Sequence, residues 1–87
     1  MNSSLQDKVV LITGGAKRVG ASICRLLHGG GTKLMIHYRN SVGEARALQS
    51  ELNLQRQNSA AIIQGDLLNL AVLPSLIQET VSHFGHL

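Results

Sequence analysis

At 87 residues, 44% hydrophobic and 15% charged, the chain has room for one small domain at most, or part of one, and a chain of this size buries only about two-thirds of its unfolded surface. Its net charge of +3 rests on eight dispersed Lys and Arg, of which only Lys17 and Arg18 are adjacent, and Tyr38 and Phe84 are its only aromatic residues, which excludes a base-stacking surface for nucleic acid. No run is long enough to span a bilayer, Met1-Asn2-Ser3-Ser4 lacks the basic and apolar parts of a signal peptide, and the single cysteine, Cys24, cannot close an internal disulfide, so a soluble protein of the reducing cytoplasm is expected, without a membrane.

Residues 1–7 are a polar lead-in. Residues 8–13 are predicted to form the first strand, because Val9-Val10-Leu11-Ile12 is a short β-branched run of the kind buried on both faces. A glycine turn follows, with Gly14 and Gly15 allowing tight folding and Gly20 allowing the next helix to lie close to the strand. That helix is predicted over 18–28, on the helical spacing of Val19, Ile23, Leu26 and Leu27, and Gly29-Gly30-Gly31 ends it. Cys24 reads as a small buried helix residue rather than a reactive thiol, since no base adjoins it.

Residues 33–38, Lys33-Leu34-Met35-Ile36-His37-Tyr38, give the second strand. Ser41 is the expected N-cap of a helix over about 42–56, with Glu44 completing a capping box. Ala45, Leu48, Leu52 and Gln55 trace one face of it, flanked by Ala47 and Leu54. Ser59–Gln64 is the third strand, closed by Gly65-Asp66. The third helix is expected over 71–84, with Val72, Leu73, Leu76, Ile77, Thr80, Val81 and Phe84 as its apolar stripe, Pro74 in its first turn and Gly85 as its stop.

The order βαβαβα with short connections predicts an α/β fold, a parallel sheet with right-handed crossovers, in which the second and third strands lie to one side of the first. Three strands then leave the far edge of the first strand bare. Residues 1–87 are therefore expected to be the N-terminal part of a larger doubly wound domain, or to have that edge covered by a second chain. A compact, stable monomer in a hydrodynamic measurement would count against this.

Strand, glycine turn and helix in sequence form a nucleotide-binding unit, because the first N–H groups of a helix lack internal partners and carry the positive end of its dipole, where a diphosphate is neutralised. The strict G-x-G-x-x-G pattern is absent, and so is any G-K-S or G-K-T. Gly14 and Gly20 are separated by five residues, and Arg18 stands where a further glycine would be expected. Past the second strand, His37-Tyr38-Arg39-Asn40-Ser41 carries no acid before Glu44. A carboxylate there would hold ribose hydroxyls and repel a 2′-phosphate. Arg39, with Asn40 and Ser41 as further donors, would attract it, so NADP(H) is the expected dinucleotide. Asp66 is read equally as an acceptor for the adenine amine and as a turn or capping aspartate. Lys17 is a solvated turn residue with a secondary phosphate role, and His37 is a packed, hydrogen-bonded imidazole. His28, His83 and His86 have no metal-ligand spacing with one another or with Cys24, so no metal is expected.

Thr13-Gly14-Gly15-Ala16-Lys17-Arg18-Val19-Gly20 resembles the cofactor turn of the short-chain dehydrogenase/reductase family. Arginine in place of the middle glycine of T-G-x-x-x-G-x-G resembles the pteridine reductase branch, as do His37-Tyr38-Arg39-Asn40-Ser41, Asn58-Ser59-Ala60 and Gly65-Asp66-Leu67. The resemblance runs from Lys8 along nearly the whole chain. It implies a Rossmann-like fold and a cofactor site formed by Gly14, Lys17, Arg18, Val19, Gly20, Tyr38, Arg39, Asn40, Ser41, Asp66 and Leu67. Within it Arg18 lies near both the pyrophosphate and the substrate. Family members often carry the basic 2′-phosphate ligand one residue later, where this chain has Asn40. The implied reaction is NADPH-dependent hydride transfer to a pterin such as dihydrobiopterin or dihydrofolate, in a homo-oligomer, often a tetramer. The family's catalytic aspartate or serine and its Tyr-x-x-x-Lys pair belong to later elements; Tyr38 is followed four residues on by Val42. No turnover is expected from these 87 residues alone. Another short-chain carbonyl or acyl reductase and a non-catalytic dinucleotide module are the competing readings.

Overall fold

The structure is a computed structural model that describes residues 6–14, 18–69 and 71–86. Its elements are β1 (Val9–Ile12), α1 (Arg18–Gly29), β2 (Lys33–Tyr38), α2 (Val42–Gln55), β3 (Ala60–Gln64) and α3 (Val72–Phe84). The expected βαβαβα order is realised, with β1 and β3 one residue or more shorter than the sequence pattern suggests. The strands form one parallel sheet in the order β1-β2-β3, with Val9 opposite Lys33 and Leu34 opposite Ala60. Among the described strands only β2 therefore has a neighbour on each side. Leu34, Met35, Ile36 and His37 are all buried, whereas in β1 only Val9 is buried and Val10, Leu11 and Ile12 are half-buried. The expectation that β1 is buried on both faces is corrected by its place at the edge of the described sheet.

Alternation along the strands sorts the core into two faces. Leu34 and Ile36, with Val10, Ile12, Tyr38, Ala60 and Ile62, meet Ala21 and Cys24 of α1 and Ala45, Leu48 and Leu52 of α2. On the opposite face α3 lies against β1 and β2, and buries Leu76 and Thr80. A bidentate ion pair, Arg25 Nε and NH2 to the Glu51 carboxylate at 2.7 and 3.0 Å, ties the exposed sides of α1 and α2.

Two helix readings need correction. In α1 the predicted stripe is turned to solvent: Val19, Ile23 and Leu26 are 73%, 44% and 78% exposed, and Ala21, Cys24 and His28 face inward, with Leu27 packed at the core's margin. The helix lies over β2 and α2, where the short side chains of Ala21 and Cys24 permit close approach. The larger side chains of the stripe find no cover among the described residues. Similarly, Leu73, Ile77 and Val81 of α3 remain exposed. The capping box also fails to form. Ser41 is the N-cap of α2 and its carbonyl accepts the first helical bond from Ala45, but its backbone (φ −94°, ψ 56°) is not the extended conformation that aims a side-chain oxygen at the helix N–H groups.

Helix ends are otherwise well satisfied. Gly31, at φ +99°, closes α1 in a Schellman arrangement: its N–H bonds the His28 carbonyl and the Thr32 N–H bonds that of Leu27. Arg56 reaches across from the end of α2 and donates to the carbonyls of His28 and Thr32 at 3.0 and 2.6 Å, placing a cation at the negative end of α1. Asn53 accepts the N–H groups of Ser59 and Ala60 and donates to the Ala60 carbonyl, which fixes the entry to β3. Gly85, left-handed at φ +88°, stops α3 as expected. These ties hold the N-terminal ends of β2 and β3. The carboxyl ends of the strands open to the solvent and to the site.

Candidate functional site

At the carboxyl ends of the three strands lies an open cleft of about 390 Å³, lined by Thr13, Gly14, His37, Arg39, Asp66, Leu67 and Leu68. This edge of a parallel α/β sheet is where ligands bind, because the helices begin there and their unpaired N–H groups face it. Helix α1 starts at Arg18 with no acidic residue in its first turn, so its positive end is not neutralised from within. Gly14 has φ +64°, and a Cβ built on it would meet nothing within 4 Å: the backbone there faces open space. Lys17, Gly15 and Ala16, expected in the same turn, lie outside the described residues.

The far wall is charged and internally paired. Arg39 NH2 lies 3.3 Å from Asp66 Oδ2, both side chains remaining about half exposed. Gln64 donates to the Arg39 carbonyl at 3.1 Å, holding the backbone after β2. Asp66 also accepts the Leu68 N–H on Oδ1 at 3.0 Å, an Asx turn that starts the connection to α3. Asn69 repeats the device on Ala71. The turn role of Asp66 is thus present, alongside an ion pair with the very cation assigned to the phosphate. Leu67 and Leu68 add an apolar surface beside these charges. Asn40 is exposed and Ser41 half-buried on the β2–α2 connection, and Tyr38 packs at the edge of the core while its carbonyl accepts from Gly65 N–H at 3.1 Å.

The structure does not bring Arg18 into this cleft. Arg18, at φ +30°, a left-handed backbone that glycine would hold with less strain, lines a separate hollow of about 560 Å³ between α1 and α2. Val19, Ser22, Arg25, Glu44 and Glu51 share that hollow, and Gly20 is half-buried in the first turn of the helix. His37 is the packed, hydrogen-bonded imidazole expected from the sequence, and the structure adds its partners and its place on the floor of the cleft; the role of Gln64 has no signal in the sequence. Their partners are 23 to 28 residues away along the chain, so no local pattern announces them. Among the described residues no group of His, Cys, Asp and Glu could hold a metal ion.

The cleft thus combines a cation, a carboxylate and two leucines beside the start of a helix. Fold and cleft together define an α/β protein of the dinucleotide-binding type. The chain belongs to the short chain dehydrogenase family, whose model matches residues 8–87. It is 44% identical over 71 residues to pteridine reductase 1 of Leishmania tarentolae, covering 82% of this chain and 25% of that protein. It is 37% identical over 83 residues to a hydroxynaphthalene reductase of Aspergillus fumigatus, covering 95% of this chain and 30% of that protein. A third relative, L-fucose dehydrogenase of Mus musculus, is 36% identical over 80 residues, with coverages of 92% and 27%. The resemblance carried by Thr13–Gly20 and His37–Ser41 is borne out. The chain spans between a quarter and a third of the length of these relatives. No helix among the described residues is long and apolar enough to cross a membrane.

Proposed function

We propose that this chain is the NADP(H)-holding first part of a cytoplasmic, homo-oligomeric reductase whose substrate is a pterin such as dihydrobiopterin or dihydrofolate. Residues 1–87 then form the N-terminal part of one Rossmann-like domain, whose further strands pair with the open edge of β1. The observation that carries the reading is Arg39, a cation over the cleft at the end of β2, with no carboxylate on that connection before Glu44. NAD-binding sheets place an acid there, and a cation serves a 2′-phosphate instead. The likeness to pteridine reductase 1 supports the pterin.

When bound, the dinucleotide supplies the hydride. The chain's own residues hold and orient it. Backbone N–H groups at the start of α1, as far as Gly20, would neutralise the diphosphate beside Gly14, whose own N–H is held by His37, and Lys17 and Arg18 would add positive charge. Arg39, paired with Asp66 here, would hold the 2′-phosphate together with the donors of Asn40 and Ser41. Asp66 would accept the adenine amine and Leu67 would cover the ring, with Tyr38, packed at the core's edge, behind the ribose end. Arg18, which lines the hollow between α1 and α2, would have to turn toward the cleft to reach the pyrophosphate and the pterin. The proton donor comes from later elements.

Titration of NADPH against NADH, on the wild type and on Arg39→Asp, tests this. The wild type is expected to bind NADPH more tightly, and Arg39→Asp, which sets two carboxylates over the cleft, to reverse the order. A wild type that prefers NADH overturns the assignment. The hydroxynaphthalene reductase relative favours a second reading, a short-chain reductase of other carbonyl substrates; a substrate panel on the full-length protein separates the two.

A further inference from the structure

Inside the cleft's floor, His37 makes two hydrogen bonds to backbone from outside its own strand. Its Nδ1 lies 3.2 Å from the Gly14 nitrogen, in the turn after β1, and its Nε2 lies 2.7 Å from the Gly65 carbonyl, after β3. The side chain is buried, with 4% of its residue surface exposed. A backbone N–H can only donate and a carbonyl can only accept, so the ring must accept on Nδ1 and donate from Nε2. One protonation state meets both needs: the neutral Nε2–H tautomer. Both partners are glycines, which have no side chains with which to be packed in place. Gly14 sits in a left-handed conformation facing open space, and a Cβ on Gly65 would lie 2.8 Å from Val72 Cγ1 and 3.8 Å from the imidazole itself. The imidazole thus performs for these two turns the fixing that side-chain packing performs elsewhere.

We propose that His37 is a positioning residue for the dinucleotide. By tying the β1–α1 turn to the β3–α3 turn across the end of β2, it sets the distance between the diphosphate cradle and the Asp66–Leu67 wall. It acts through Gly14 and Gly65, and the inference rests on the nucleotide reading given above. In unbound protein the tie holds the Gly14 backbone in a binding-ready position, so the ordering cost does not fall on the ligand.

The test uses the full-length protein labelled with ¹⁵N. Long-range ¹H–¹⁵N spectra of the His37 ring are expected to give the Nε2–H tautomer, with a coupling through the hydrogen bond between the Gly14 amide nitrogen and Nδ1. An Nδ1–H tautomer, or no coupling while NADPH binds normally, overturns the tie and leaves the nucleotide reading standing. Tautomer and coupling as expected, with neither NADPH nor NADH bound by the wild type, overturns the nucleotide reading and with it the positioning role. NADPH titrations then compare His37→Leu, which removes both bonds, with His37→Asn, whose Oδ1 occupies the place of Nδ1. Leu is expected to weaken binding about tenfold, the effect of one lost hydrogen bond to a buried group, and Asn to recover most of it. Equal affinity in the wild type and His37→Leu overturns the role. Should His37→Leu not fold, His37→Gln, which reaches Gly65 and leaves Gly14 without its acceptor, must bind NADPH more weakly than His37→Asn; equality overturns it equally.

Discussion

His28 and Cys24 sit one turn apart on the inner face of α1, and burial displaces both from their ordinary titration. Burial and the neighbouring Arg56 guanidinium hold the His28 imidazole below its usual range, while burial pushes the Cys24 thiol up to about 11. The neutral forms are therefore the ones the fold favours. His28 Nε2–H donates to Ser59 Oγ at 2.7 Å, and that hydroxyl passes its own hydrogen to the Arg56 carbonyl. A depressed imidazole gives a stability that is complete above the unfolded value and is lost as pH falls below it, because the unfolded chain takes up the proton first. A raised thiol gives the mirror image: its contribution is complete below the unfolded value and is lost as pH rises toward 11. Urea midpoints measured across pH should form a plateau bounded by these two titrations, and His28→Gln should flatten the acid side. An acid limb unchanged by that substitution would assign the loss to another group. Cys24 should also resist a thiol reagent at pH 8 in native buffer and react at a rate that follows unfolding, since the thiolate is both scarce and enclosed. At this scale the sequence shows residue types and not their partners. Arg39 and Asp66 were each legible from their place at strand ends. Their pairing with each other was not, nor was the bridge made by His37, because both depend on how turns 23 to 28 residues apart are brought together.

Among the elements, the β3–α3 connection shows how a single missing side chain admits a helix to the sheet. Gly65 is buried with its carbonyl on His37, and a Cβ there would sit 2.8 Å from Val72 Cγ1 and 3.5 Å from Leu76 Cδ2. Val72 opens α3 and Leu76 anchors it, so neither can withdraw without moving the helix. Gly65→Ala should cost about 1–3 kcal/mol in a denaturation measurement, as expected for overpacking in a close-fitting site. Gly43→Ala, where an added Cβ meets nothing within 4 Å, serves as the control and should cost nothing measurable, since alanine is the better helix former. A loss at Gly65 no larger than at Gly43 would mean that α3 does not pack this closely. The existence, type and order of all six elements were legible, because each pairs an apolar pattern with its own stop signal, Gly31 and Gly85 most plainly. The face that a helix buries was legible for α2, whose Ala45, Leu48 and Leu52 lie against β2 and β3 while Gln55 stays exposed, and in part for α3, whose buried Leu76 and Thr80 belong to its predicted stripe, but not for α1. Periodicity identifies a stripe but not what covers it. The stripes of α1 and α3 are apolar beyond what this part of the sheet can cover.

Over the whole molecule, the exposed apolar side chains include a set on each of two helices, α1 and α3. Val19, Ile23 and Leu26 of α1 and Leu73, Ile77 and Val81 of α3 belong to helices on opposite faces of the sheet, and β1 pairs with β2 alone among the described strands. An unpaired parallel strand between two uncovered apolar helix faces is a surface that water solvates poorly and that other chains can pair with. Fully burying side chains of this kind is worth about 1.5–3 kcal/mol each, so six of them give a strong drive toward any apolar partner. The 87-residue protein on its own should therefore self-associate in sedimentation experiments at micromolar concentration and bind a hydrophobic dye. Replacing Ile23 and Leu26 with Lys and Ile77 with Glu should reduce both signals while the helical circular dichroism is retained, because these side chains contribute little to the core described here. Leu34→Ala is the contrasting change: Leu34 is fully buried in β2, which among the described strands has a neighbour on each side, and its loss should cost about 2–5 kcal/mol whatever the state of association. A compact monomer that binds no dye would show that the exposed stripes find cover within this chain. Association left unchanged by the charged substitutions would place the contact elsewhere, with the β1 edge as the remaining candidate.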